Sequence, residues 1–186
     1  MADRQEIAPA AIEAARAGRP GAADRLVAEA WPHAYRIAYG LLRDRDLAQD
    51  AAQEACAAIF TRISQLRTAE AFRVWLYRIV VREAARLERK RALSHVLGFA
   101  PASVDDIAVS TLRADLRSAL GKLARLQRAV IVLRYYAGMN STEIAAVLAI
   151  PAGSVRFHLV EARRALERLL DEPRSSSRFL EVARVV

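Results

Sequence analysis

A single cysteine, Cys56, stands in the whole chain. That excludes an intramolecular disulfide and any multi-cysteine metal site, and it suits a reducing compartment. Set within a helical stretch, Cys56 reads as a small buried apolar residue. His33, His95 and His158 are the only histidines, and none lies in a ligand cluster, so neither a metal nor a cofactor is expected. No Gly-rich phosphate loop or nucleophile arrangement appears, which argues against an enzyme and leaves no catalytic residue to name. No apolar run approaches the roughly 18 residues that span a bilayer. The N-terminus lacks the basic-then-apolar order of a secretory signal. The expectation is a soluble, cytoplasmic protein with no membrane insertion.

What the chain does have is helix-forming composition and positive charge. Hydrophobic residues make up 54% while aromatics are 6%, so the core must be built from alanine and aliphatic side chains, which favour helix. No strand pattern or internal repeat emerges. Lys and Arg number 29 against 21 Asp and Glu, a formal charge of +8. That excess fits a polyanionic partner, nucleic acid or an anionic membrane surface.

Periodicity predicts an all-α protein of two small helical domains joined by a flexible linker: 1–93, linker 94–111, 112–170, then a tail over 171–186. Apolar residues from Leu26 through Leu41-Leu42 recur at helical spacing over about 22–42. A polar break follows, with Asp46 expected to cap a helix over about 47–63. A third helix is expected over about 69–92, completing an N-terminal bundle. "SHVLGFAPASVDDIAVS" has no sustained period and reads as linker. The tail reads equally as a last amphipathic helix or as unstructured chain.

In the C-terminal half, Asn140 stands three residues before Glu143, a capping arrangement. Ile144, Val147 and Leu148 give one short apolar face. A turn at Ile150-Pro151-Ala152-Gly153 follows, then a longer helix with Val155, Leu159, Ala162 and Leu166 on one stripe. Phe157, Arg164 and Arg168 fall opposite, flanked by Arg156 and Val160. Short helix, tight turn and longer helix is the helix-turn-helix plan. An ordinary helical hairpin has the same pattern. Ten Lys and Arg against four acids over 112–170 favour DNA.

Two charged stripes mark the N-terminal half. In "AFRVWLYRIVVREAARLERKR", Phe72, Leu76, Ile79, Val80 and Leu87 form the buried side. Arg78, Arg82, Arg86 and Arg89 form a second row, with Trp75 at the seam. Cations beside an aromatic suit melted nucleic acid, although Trp75 and Tyr77 in the core with solvent-facing arginines would give the same pattern. On the preceding helix, Asp46, Asp50 and Glu54 sit four apart with Gln53 alongside. That is either a solvated face or a dock for a basic protein.

From Trp31 to Leu170 the chain resembles the extracytoplasmic-function (ECF) group of bacterial sigma factors. "AYRIAYGLLRD", "DAAQEA" and "FRVWLYRI" resemble their second conserved region. "LRSALGKLARLQRAVIVLRYYAGMNSTEIAAVLAIPAGSVR" resembles their fourth. The resemblance implies an RNA polymerase sigma factor, a non-catalytic subunit that lends promoter specificity and melting to core polymerase. It implies that Asp50, Gln53 and Glu54 dock on the clamp helices of the largest subunit. Trp75, Tyr77, Arg78, Arg82 and Arg86 would meet the non-template strand of the minus-ten element. Ser154 and Arg156, with Phe157, His158 and Arg164 on the same helix, would meet the minus-thirty-five element. Core RNA polymerase, promoter DNA and an anti-sigma factor are the implied partners.

Three departures from the family pattern stand out. Arg82 replaces a frequent asparagine, and Ala149 replaces a common glycine. Phe157, His158 and Glu161 stand where small or basic residues are usual, so an atypical upstream element is expected. A promoter-binding regulator with a sensory N-terminal bundle, and a pure protein-interaction bundle, remain the rival readings.

Overall fold

The computed structural model describes residues 7–96 and 111–170. The described residues form two compact helical units with no strand among them. The N-terminal unit holds α1 (Pro9–Arg16), α2 (Ala22–Leu42), α3 (Arg45–Arg62) and α4 (Phe72–Val96). Short 3-10 turns at Ile63–Gln65 and Ala69–Ala71 join α3 to α4. The C-terminal half of the chain forms α5 (Thr111–Lys122), α6 (Arg125–Tyr135), α7 (Ser141–Leu148) and α8 (Ala152–Leu170). Helix α4 runs past the expected helix end near residue 92, into the stretch expected as linker. Residues 97–110 of the expected linker and the whole tail lie outside the described residues, and Thr111 already opens α5.

Alanine builds the first core. Ala48, Ala51, Ala52, Ala55 and Ala58 are buried on α3, facing Leu26, Ala30, Ala34, Ile37 and Ala38 of α2. Such short side chains let two helices pack with little between them. Phe72, Leu76, Ile79, Val80 and Leu87 of α4 are buried as the periodicity predicted. Arg16 fastens α1 by donating from Nε to the Leu66 carbonyl at 2.8 Å and from Nη2 to that of Arg67 at 2.7 Å.

The cap of α3 differs from the expectation. Asp44, not Asp46, accepts from the Leu47 amide at 3.1 Å. Arg43 ends α2 in the left-handed region at φ 57°, so the chain turns one step earlier than the polar run implied. Arg45 and Asp46 therefore already belong to the helix.

Cys56 is buried on the inner face of α3, as its setting suggested. Burial pushes its thiol from the usual 9.0 up to about 11. The neutral thiol is the form the fold favours, so this contribution is fully present below about pH 9. It is lost as pH rises through 11. At pH 8, alkylation of the native protein is expected to run roughly 100-fold slower than in urea, from thiolate fraction alone. Equal rates would mean that the inner face of α3 is open to solvent.

In the C-terminal unit, Ala129 through Leu133 of α6 are all buried, and α8 packs against both α5 and α6. Arg128, one of the ten cations counted over 112–170, is only 7% exposed. It sits one turn before Val132 on the inner side of α6, so it adds little to the outer potential. Gly138 turns the chain at φ 65°. Asn140 then caps α7: its Oδ1 accepts from the Thr142 and Glu143 amides, each at 2.9 Å. Glu143 returns the bond to the Asn140 amide at 2.8 Å. That is the full capping box the spacing predicted.

Helix α7 and helix α8 meet at 102° across three residues, within the range of a helix-turn-helix. The Ile150 amide closes the end of α7 on the Ala145 carbonyl at 3.2 Å, a Schellman-type closure. The turn is Ala149 to Pro151, not the expected 150–153, because Ala152 and Gly153 already form the first turn of α8. Ala149 sits at φ 55°, where a Cβ meets its own carbonyl and glycine does not. Ala149→Gly is expected to raise the stability of this unit by about 0.5–1 kcal/mol. Urea denaturation checks this; a lower midpoint would contradict it.

Candidate functional site

The outer face of α8 carries the first set of expected residues. Val155, Leu159, Ala162 and Leu166 are buried, which aims the opposite side of the helix at solvent. On that side Arg156, Phe157, Val160, Arg163 and Arg164 are exposed, while Ser154 and His158 are half-buried. Phe157 and His158 pack edge to face, their rings 5.4 Å apart. Glu161, one of the departures from the family pattern, accepts from Arg164 Nη1 at 3.1 Å. Arg163 donates to the Tyr135 hydroxyl at 2.8 Å and lies 5.7 Å from that ring's centre. It ties α8 to the end of α6, a positioning role the sequence reading missed.

The cationic row of α4 is present as predicted, with Arg78, Arg82, Arg86 and Arg89 all exposed and Trp75 half-buried beside them. Trp75 is braced against Phe72, ring centres 5.8 Å apart. The structure does not bring Tyr77 to this face. It is 4% exposed, and burial pushes its hydroxyl pKa up despite nearby Arg73 and Arg36. A two-residue step from Trp75 turns Tyr77 about 200° around the helix, which puts it with the core.

Glu83, also missed, accepts from Arg86 Nε at 2.6 Å and lies 3.7 Å from Arg82 Nε. Its bond and charge, then the charges of Glu54 and Asp50, raise the Arg86 pKa above its ordinary value. The Glu83–Arg86 and Glu161–Arg164 pairs are both three apart, a spacing from which they were readable.

The acidic stripe of α3 is exposed throughout: Asp46, Asp50, Gln53 and Glu54 all face solvent, and Phe60 extends the row as an exposed aromatic. Because Glu54 and Asp50 reach Arg86 electrostatically, the acidic and basic stripes adjoin within one unit.

The family description "Sigma-70 region 2" matches residues 26–93, and "Sigma-70, region 4" matches residues 113–166. The RNA polymerase sigma-E factor of Streptomyces antibioticus is 36% identical over 139 residues, 72% of this chain and 74% of that protein. The chain belongs to the sigma-70 family, in its ECF group. The ECF RNA polymerase sigma factor SigW of Bacillus subtilis is 28% identical over 153 residues, 73% of this chain and 82% of that one. In three dimensions the sigma factor RpoE of Bartonella quintana, solved in complex with the anti-sigma factor NepR, is similar. The TM-score is 0.69 at 23% identity, covering 80% of this chain and 96% of that one.

Promoter recognition for RNA polymerase is therefore the function of this sigma factor. Its region 2 match takes in the acidic stripe of α3 and the cationic row of α4. Its region 4 match takes in α7 and most of α8. Among the described residues, no single helix is long and apolar enough to cross a membrane.

Proposed function

We propose that this sigma factor divides promoter work among three helix faces. Ser154, Arg156, Phe157, His158 and Arg164 of α8 meet the minus-thirty-five element in the major groove. Arg78, Arg82 and Trp75 of α4 hold the non-template strand of the minus-ten element as it opens. Tyr77 supports that surface from beneath, and Arg86 stands at its border with the acidic stripe. Asp50, Gln53 and Glu54 of α3 dock on core polymerase. The protein is non-catalytic and works in the cytoplasm beside the polymerase, under an anti-sigma factor such as the one that binds its structural relative from Bartonella quintana.

One observation carries this reading: a chain of net charge +8 gathers a solvent-facing acidic row on α3, while the exposed rows of α4 and α8 are mainly cationic. A polyanion attracts the second kind of face and repels the first. The acidic row therefore fits a protein partner rather than DNA. Copurification of the full chain with core polymerase in a reconstituted mixture tests it. Stable association is expected; no association would favour a promoter-binding regulator that acts without joining the enzyme.

A further inference from the structure

Two apolar side chains stand at the centre of the outer face of α8. Phe157 is 62% exposed and Val160 is 44% exposed. They lie three residues apart, with Arg164 one turn beyond Val160. At 100° per residue all three fall within about 60° of one another, directly opposite Val155, Leu159, Ala162 and Leu166. In a helix seated in the major groove, this central line meets base edges, and the sides of the helix meet phosphates. Arg156 and Arg163 occupy one of those sides.

The chemistry at the centre is therefore apolar where a hydrogen-bonding side chain would serve most base edges. Arg164, on this line, is already engaged by Glu161 at 3.1 Å, which weakens it as a reader of guanine. Arg168 lies a further turn toward the C-terminal end of the helix, away from the N-terminal part that meets base edges. The edge-to-face contact with His158 steadies the Phe157 ring. Only one group on the major-groove edge of the four standard bases is apolar: the C5-methyl of thymine.

We propose that Phe157, backed by Val160, is a specificity-determining contact of α8 and that it reads the C5-methyl group of a thymine in the upstream promoter element. The proposal rests on α8 entering the major groove there. The apolar pair takes the methyl group out of water, and the flanking arginines set the register. Exchanging thymine for deoxyuridine removes one methyl and nothing else from the groove.

The test uses holoenzyme reconstituted from the full chain and core polymerase. A pool of duplexes randomised over the upstream ten base pairs is selected for binding. Selected duplexes are then rebuilt with deoxyuridine at each thymine in turn. Enrichment of thymine at one or two adjacent positions is expected, with deoxyuridine there weakening binding roughly three- to ten-fold. Phe157→Ala is expected to bind thymine and deoxyuridine duplexes alike, whereas Arg156→Ala weakens both and keeps the difference.

A selected motif whose thymines are replaced without loss overturns the inference and leaves the promoter reading standing. A pool that yields no upstream motif overturns that reading, and the inference with it. A parallel pool carrying 5-methylcytosine separates the two sources of a methyl group; preference for methylcytosine over thymine at that position overturns the choice of base.

Discussion

Asp50→Ala combined with Glu54→Ala is expected to weaken binding to core polymerase by about ten-fold or more. Both carboxylates are exposed on α3, so neither holds the fold together, and their loss is read at the interface. An exposed ion pair contributes little by itself, about 0–1 kcal/mol. At a docked interface the same charges lose their water and their partners are left unmatched, which enlarges the effect. Removing them also takes away the smaller part of the field that raises the Arg86 pKa, most of which comes from Glu83. Binding measured by surface plasmon resonance at two salt concentrations checks the claim. Unchanged affinity at both would place the docking surface elsewhere.

Arg78→Ala with Arg82→Ala is expected to act on a different step. Promoter opening, followed by permanganate reactivity of unpaired thymines, falls about ten-fold, while core affinity stays within about two-fold. The two arginines share the exposed row beside Trp75, away from the buried stripe of α4. Glu83 bears on the size of the effect. It lies 2.6 Å from Arg86 but 3.7 Å from Arg82, so Arg82 keeps more of its charge available to phosphates. Undiminished melting in the double variant would remove α4 from the strand-opening account.

Much of this architecture was readable because period and spacing carry it. The stripe that predicted α2 over 22–42 matches the observed helix, because its apolar recurrence continues on both sides of the internal Pro32. The inner faces of α4 and α8 follow from apolar recurrence, and the capping box at Asn140 from two residues three apart. What spacing left open were choices between similar neighbours. Asp44 and Asp46 are chemically alike, and only the left-handed end of α2 at Arg43 decides which one caps α3.

Tyr77 and Arg128 show a second limit. Each belongs to a residue type that is often exposed, and each lies where its helix turns inward. The residue pattern left Tyr77 open between core and surface, and a charge count does not sort Arg128 from its exposed neighbours. At the turn before α8, Pro151 marks a helix boundary without fixing its side; Ala152 and Gly153 enter the helix because nothing in Pro151 prevents a helix from following it. The salt links of Glu83 and Glu161 had the spacing of helix pairs but were hidden by the attention that arginine rows attract. The outer face of α8 was legible as an exposed surface bearing cations. The apolar centre of that surface took meaning only once its neighbours' burial was known.

Run-off transcription on genomic fragments with purified core polymerase tests the central claim most directly. Addition of this chain is expected to produce discrete transcripts from a small set of start sites, none of which core polymerase makes alone. Identical products with and without the chain would contradict the account.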